Sequence, residues 1–342
     1  MVRKVASLQF LLLILFVSCS NDFWDDLSES VIPFYFESEL NNCIRNVNNT
    51  SKSSNDQTSF VFITDTHWGN NEQHSPALVR NLIEKTDMSL CVFGGDAIKG
   101  CYLDRNEAII WGQKFMNSFS FLGDNMISVV GNHDDNSNLQ PESEEILSNK
   151  EIHNYLMRNM EGPSVVFGDD LYYYKDVESQ KTRFIGLDTG ISNISREEWQ
   201  FLIDALKSCK ENWHIVVVTH ILLRSPMPAY TKKMSVLFDN YNNRKKGVLK
   251  TETIEYDFTN ARAMVEFCVG GHLHCDLVDK TEGGIPLLVF DRDARNSNNG
   301  LPFKKGTVDE QSITAIVADY EKDSIYCYRV GRGDDIFVKI GK

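Results

Sequence analysis

Eight strand-length runs recur between Phe60 and Tyr320: FVFIT, SLCVFGG, MISVVG, TRFIGLD, HIVVVTH, VEFCVGG, IPLLVF and ITAIVADY. They are rich in β-branched residues and mostly continuously apolar rather than alternating, the pattern of strands covered on both faces. Between several of them lie helix-patterned segments such as SPALVRNLIEKT and SREEWQFLIDALKSC. In the second, Ser195 stands three residues before Glu198 as a capping box, ahead of Trp199, Leu202, Ile203 and Leu206 on one helical face. This alternation predicts an α/β fold with helices covering its sheets. The C-terminal SIYCYRVGRGDDIFVKI reads differently, as a hairpin turning at Gly331 to Asp335.

Five of the apolar runs lead into polar residues of a narrow kind. FVFIT leads to Asp65 and His67, CVFGG to Asp96, ISVVG to Asn132, His133 and Asp134, VVVT to His220, and FCVGG to His272 and His274. Taken singly, each fits a turn residue, a helix cap or a core histidine. Taken together they define one site, because open α/β sheets gather their functional groups at the carboxyl ends of the strands. Two divalent cations about 3.5–4 Å apart need a bridging carboxylate, imidazoles and hard oxygen ligands, with room for a bridging hydroxide. Asp65, Asp96 and Asn132 with four histidines supply that mixed set. Cys275, beside His274, would point to the opposite face of a continuing strand and is not counted as a ligand.

The ordered motifs DTH, GGD, GNHD, TH and GGHLH, spanning residues 65 to 274, resemble the calcineurin-like metallophosphoesterase superfamily, with no ligand position missing. The resemblance implies a four-layer α/β/β/α sandwich of two mixed sheets flanked by helices. It also implies that Asp65, His67 and His274 hold one metal, that Asn132, His220 and His272 hold the other, and that Asp96 bridges them. By the same resemblance His133 is the general acid or transition-state stabiliser, and Asp134 orients its imidazole. The implied reaction is in-line attack of a metal-bridging hydroxide on phosphorus, with His133 protonating the leaving alkoxide. The cofactors are two divalent metal ions, with Mn, Fe, Zn and Co all compatible with the donor set.

Departures from subfamily patterns narrow the substrate class. GGDAIKG and VGNHD replace the GDYVDRG and RGNHE of Ser/Thr protein phosphatases, and Ile98 and Lys99 stand where purple acid phosphatases place a tyrosine ligand. A small-molecule phosphomonoester or phosphodiester remains the expected substrate, with Arg224 the one nominated substrate contact. His74, His153 and His214 match no motif and are read as structural or exposed. Two other readings stay open: a non-catalytic surface lipoprotein that binds a ligand or glycan with this fold, and a metal-dependent nuclease.

Charge weighs against the nuclease. The net charge of −13 becomes −15 without residues 1–18, which carry Arg3 and Lys4 and no acidic residue. No dense Lys/Arg block offsets it, so nucleic acid is a disfavoured partner. The first residues have the three parts of a secretory signal: Arg3 and Lys4, an apolar stretch from Val5 to Val17, and small Ser18 before Cys19. That stretch is too short for a spanning helix, which needs about 20 apolar residues. FVSC resembles a bacterial lipobox, and the acidic SNDFWDD after it resembles the tether signals of Bacteroides-type surface lipoproteins. The expectation is a signal peptide over 1–18, an exported chain anchored to the outer membrane or cell envelope through lipidated Cys19, a tether over 19–56, and one phosphoesterase domain over 57–342. The remaining seven cysteines are scattered, with no CxxC pair, and are expected to be free buried thiols.

Overall fold

The computed structural model describes residues 31–68, 73–138, 143–191, 193–223, 227–293 and 303–341. The signal segment, Cys19 and Arg224 lie outside the described residues. Among those described, no helix is long and apolar enough to cross a membrane.

Among the described residues, fifteen strands follow one another. The first seven are β1 (Gln57–Ile63), β2 (Cys91–Phe93), β3 (Met126–Ser128), β4 (Val165–Phe167), β5 (Tyr173–Val177), β6 (Thr182–Leu187) and β7 (His214–Thr219). After them come β8 (Lys246–Leu249), β9 (Ile254–Asp257), β10 (Met264–Gly270), β11 (Leu277–Lys280), β12 (Pro286–Val289), β13 (Ser312–Asp319), β14 (Ser324–Gly331) and β15 (Ile336–Lys339). One sheet has the order β15-β14-β13-β1-β2-β3 and the other β11-β12-β10-β7-β6-β5-β4, with β8 and β9 a separate pair. Both sheets are mixed. β1, β2 and β3 are mutually parallel, as are β6, β7, β10 and β12, while the outer strands are antiparallel. The C-terminal hairpin forms where the sequence places it, between β14 and β15.

Burial on both faces explains the continuous apolar runs. On β7, Val216 and Val218 join the core between the sheets, while Ile215 and Val217 join the core under the outer helices Arg196–Lys207 and Ala229–Asn242. Across the gap, Phe60 meets Phe184 and Phe267 with ring centroids 5.4 and 6.3 Å apart, and Phe62 meets Phe290 at 5.2 Å. With helices Ser75–Lys85 and Arg105–Ser118 packed into the core of the first sheet, the layers are α/β/β/α.

Within residues 19–56, expected to be a tether, the chain forms the helix Glu37–Ser51 lying on β13 and β14. Leu40, Cys43 and Val47 recur at helical spacing on its inner face, and with Phe36 they are buried in the main core. The seven described cysteines are all free, five of them buried.

The Ser195 cap forms in half. Its hydroxyl accepts the Glu198 N–H at 3.1 Å, but the Glu198 carboxylate turns inward and accepts the Asp188 N–H at 2.8 Å. Burial pushes that carboxyl up to about 8, and Asp188 beside it up to about 6. A carboxyl raised on folding contributes stability that is fully present below its unfolded value of about 4.3 and is lost as pH rises through its folded value. Glu198→Gln keeps the acceptor and removes the charge. The variant is therefore expected to lose less melting temperature than the wild type between pH 5 and pH 9, measured by thermal unfolding across that range.

Candidate metal centre

The loops that follow β1, β2, β3, β7 and β10 converge at one edge of the sandwich. Asp65, His67, Asp96, His272 and His274 all take positive φ, between 44° and 71°. Such backbone is uncommon for residues other than glycine and collects at functional sites. Locally, it turns the chain as it leaves each strand and aims the side chain past the sheet edge. Gly271 permits the closest approach: a Cβ there would fall 2.3 Å from the Asp65 Oδ2 and 2.0 Å from the Thr64 Oγ1.

All seven nominated ligands come together. The donor atoms of Asp65, His67, Asp96 and His274 lie within 4.8 Å of one another. His274 Nε2 is 3.0 Å from Asp65 Oδ1 and 3.3 Å from His67 Nε2. On the other side of Asp96, His220 Nε2 stands 3.3 Å from its Oδ2 and 3.2 Å from Asn132 Oδ1. The His272 ring completes this second group, its centroid 5.2 Å from that of His220. Asp96 Oδ1 accepts the His133 N–H at 2.8 Å, while Oδ2, buried between the two groups, has no hydrogen-bond partner among the described residues. A buried carboxylate oxygen without a hydrogen bond is costly. Facing imidazoles on both sides, it suits a position bridging two cations, so the residues present fit a dimetal site.

The electrostatics point the same way. Burial would raise the Asp65 and Asp96 carboxyls, but His220 and the neighbouring histidines hold both well below the ordinary value. Burial opposes charge on His220 as well, yet Asp96 and Asp65 raise it to about 10. Burial lowers His67 and His272 to about 4, so both rings are neutral at physiological pH. A proton on His220 is thus the cluster's own counter-charge, and a metal held at Nε2 would displace it. His220 Nδ1 is held by the Gly94 carbonyl at 2.7 Å, which leaves Nε2 facing the site.

Asp134 has a different task from the one expected of it. His133 Nδ1 lies 2.6 Å from the Lys99 carbonyl, not on the Asp134 carboxylate. The fully buried Asp134 carboxylate instead accepts the N–H groups of Gly131 at 2.8 Å, Asp96 at 3.0 Å and Ala97 at 2.8 Å. Burial, and then the charge of Asp96, push this carboxyl up to about 7 against the pull of those donors. The sequence carried no sign of the Lys99 contact, because a backbone carbonyl leaves no trace in residue type.

The other three histidines stay outside the site. His74 packs on Phe36 with Nε2 3.3 Å from Glu310, and His153 packs on Phe167. His214 stacks on Tyr320 between Asp56 and Glu266.

The fold is shared with a solved protein of low sequence identity, and two weaker likenesses accompany it. A dimetal phosphatase from Danio rerio matches with a TM-score of 0.53 and 13% identity, over 83% of this chain and 99% of that one. A Staphylococcus aureus protein named as a candidate 5′-nucleotidase matches with a TM-score of 0.42 and 12% identity, over 84% of this chain and 55% of that one. Vacuolar protein sorting 29 from Cryptosporidium parvum matches with a TM-score of 0.37 and 12% identity, over 84% and 100%. No curated protein matches the sequence. The sequence profile of the calcineurin-like phosphoesterases matches residues 58–276, well over half of the sequence, and the chain therefore belongs to that family.

Proposed function

We propose that the protein is a dimetal-dependent hydrolase of small-molecule phosphoesters. The observation that carries this reading is the buried Asp96 Oδ2, without a hydrogen bond and 3.3 Å from His220 Nε2, between two groups of nitrogen and oxygen donors. Asp65, His67 and His274 would hold one ion, Asn132, His220 and His272 the other, and Asp96 would bridge them. When bound, the pair supplies Lewis acidity and a hydroxide nucleophile at neutral pH. His133, partly exposed and with Nε2 3.8 Å from Asp96 Oδ2, stands beside the ligands rather than among them. That position suits it to give its Nε2 proton to the leaving oxygen. The charge of −13 favours a small substrate over duplex nucleic acid. Anchoring in the cell envelope through Cys19 is part of this proposal on the leader pattern alone.

The test is hydrolysis of a chromogenic phosphomonoester and a chromogenic phosphodiester by protein stripped with chelator and then supplied with Mn²⁺, Fe²⁺, Zn²⁺ or Co²⁺. Chelation is expected to abolish turnover of at least one ester and metal addition to restore it. If neither ester is cleaved with any of the four metals, the hydrolase reading fails in favour of a binding role. Cleavage of plasmid DNA alone would turn it into a nuclease.

A further inference from the structure

The loop after β2 and the loop after β3 are fastened together at more points than ligand placement requires. Asp134 fixes residues 96 and 97 of the first loop through their N–H groups. Two residues later Asn136, fully buried and with φ of 66°, grips the far end of the same loop. Its Oδ1 accepts the Tyr102 N–H at 2.9 Å, and its Nδ2 donates to the Tyr102 carbonyl at 3.0 Å. Asn138 N–H adds a bond to the Gly100 carbonyl at 3.0 Å. Between these two grips lies the turn Lys99–Gly100, pressed onto His133. Gly100 has φ of 60°, and a Cβ there would fall 2.1 Å from the His133 carbonyl oxygen. The outcome is the 2.6 Å contact from the Lys99 carbonyl to His133 Nδ1.

We propose that Asn136 is a positioning residue for His133: by clamping Tyr102 it fixes the Lys99 carbonyl, which anchors the ring through Nδ1 and keeps Nε2 facing the leaving group. The proposal rests on the general-acid role given to His133 above. In the step concerned, hydroxide oxygen bonds to phosphorus, the bond from phosphorus to the ester oxygen breaks, and that oxygen takes the Nε2 proton. The ring is left neutral with Nδ1–H still on the Lys99 carbonyl, and an incoming water gives its proton to Nε2 and becomes the hydroxide of the next turnover. A carbonyl accepts only from N–H, so the contact fixes the orientation of the ring through Nδ1–H, and a ring freed from it turns its Nε2 away from the leaving oxygen.

Asn136→Gly tests this, because glycine keeps the positive φ without strain and removes only the amide contacts. The readout is the ratio of kcat for a p-nitrophenyl ester to kcat for the matching alkyl ester. A good leaving group departs without a proton and a poor one needs it, so a misplaced acid penalises the alkyl ester selectively. The ratio is expected to rise about tenfold in Asn136→Gly and about a hundredfold in His133→Ala, within the range that a general acid supplies. Metal content is expected to stay at two ions per chain. Equal losses on both esters, or an unchanged ratio, would overturn the proposal. If His133→Ala leaves the ratio unchanged, the general-acid reading falls; if His133→Ala raises it and Asn136→Gly does not, only the role of Asn136 falls. Should the glycine variant fail to fold, Asn136→Asp keeps the acceptor for the Tyr102 N–H and loses the donor to its carbonyl. A smaller rise in the same ratio is expected there, and no rise would overturn the proposal equally.

Discussion

Asp96→Asn is expected to bind fewer than two metal ions per chain and to lose about 10³-fold or more in kcat, roughly 4 kcal/mol of transition-state stabilisation. The size of the effect follows from where one oxygen sits. Asp96 Oδ2 is 3.3 Å from His220 Nε2, 3.8 Å from His133 Nε2 and 4.0 Å from His67 Nε2, so it faces both halves of the site. The amide of asparagine presents either a neutral carbonyl or an NH₂ group at that point, and neither supplies the charge that two cations share. Asp96 is also foremost among the charges raising His220. Without it, His220 gives up its proton more readily and binds its own ion better, yet the second ion loses its link to the first. Metal analysis by mass spectrometry together with turnover of a chromogenic ester checks this. An Asp96→Asn protein carrying two ions and turning over at the wild-type rate would remove the bridging role.

The parts of this fold that were legible in the sequence are those buried on both sides. β1, β7, β10 and β13 carry apolar residues on successive positions because one face meets the opposite sheet and the other meets helices. Edge strands lack that imprint. Every residue of β11 is exposed, and β4 is half-buried at best, so nothing in LVDK or VVF distinguishes a strand from a loop. The helix Glu37–Ser51 was hidden for a related reason. Its buried stripe is only Leu40, Cys43 and Val47, set among asparagines and serines that read as a linker. The candidate metal site was legible as a cluster because the chemistry it suits depends on residue type, and His, Asp and Asn at strand ends have few common alternatives. The layer behind it was not, because it is built from carbonyls and amides: Gly94 O on His220, Lys99 O on His133, and the N–H groups gathered by Asp134.

Asp134→Asn is expected to unfold at a markedly lower temperature and to lose metal as well as turnover, which separates the role seen in the structure from the one its place in the sequence suggests. Adjacent to His133 in GNHD, the carboxylate would be taken for a partner of the imidazole. The turn that closes from the Asp134 N–H to the Gly131 carbonyl at 3.2 Å places it instead against backbone, with Oδ2 accepting from Gly131 and Asp96 and Oδ1 from Ala97. Asparagine has the same shape but one of its two polar ends is a donor. Whichever way the amide turns, an NH₂ group meets one or two buried N–H groups, and donors face donors. Each buried group left unsatisfied costs about 1–3 kcal/mol, so a total loss of roughly 2–5 kcal/mol is expected. The amides affected belong to Asp96 and Ala97 or to the residue before Asn132, so the same fault displaces ligands from both halves of the site. A carboxylate that merely oriented His133 would give another result: Asp134→Asn would keep its melting temperature and two ions per chain and lose only kcat. Thermal unfolding and metal analysis of the one variant therefore decide between them, and an unchanged melting temperature with full metal content would return Asp134 to the imidazole.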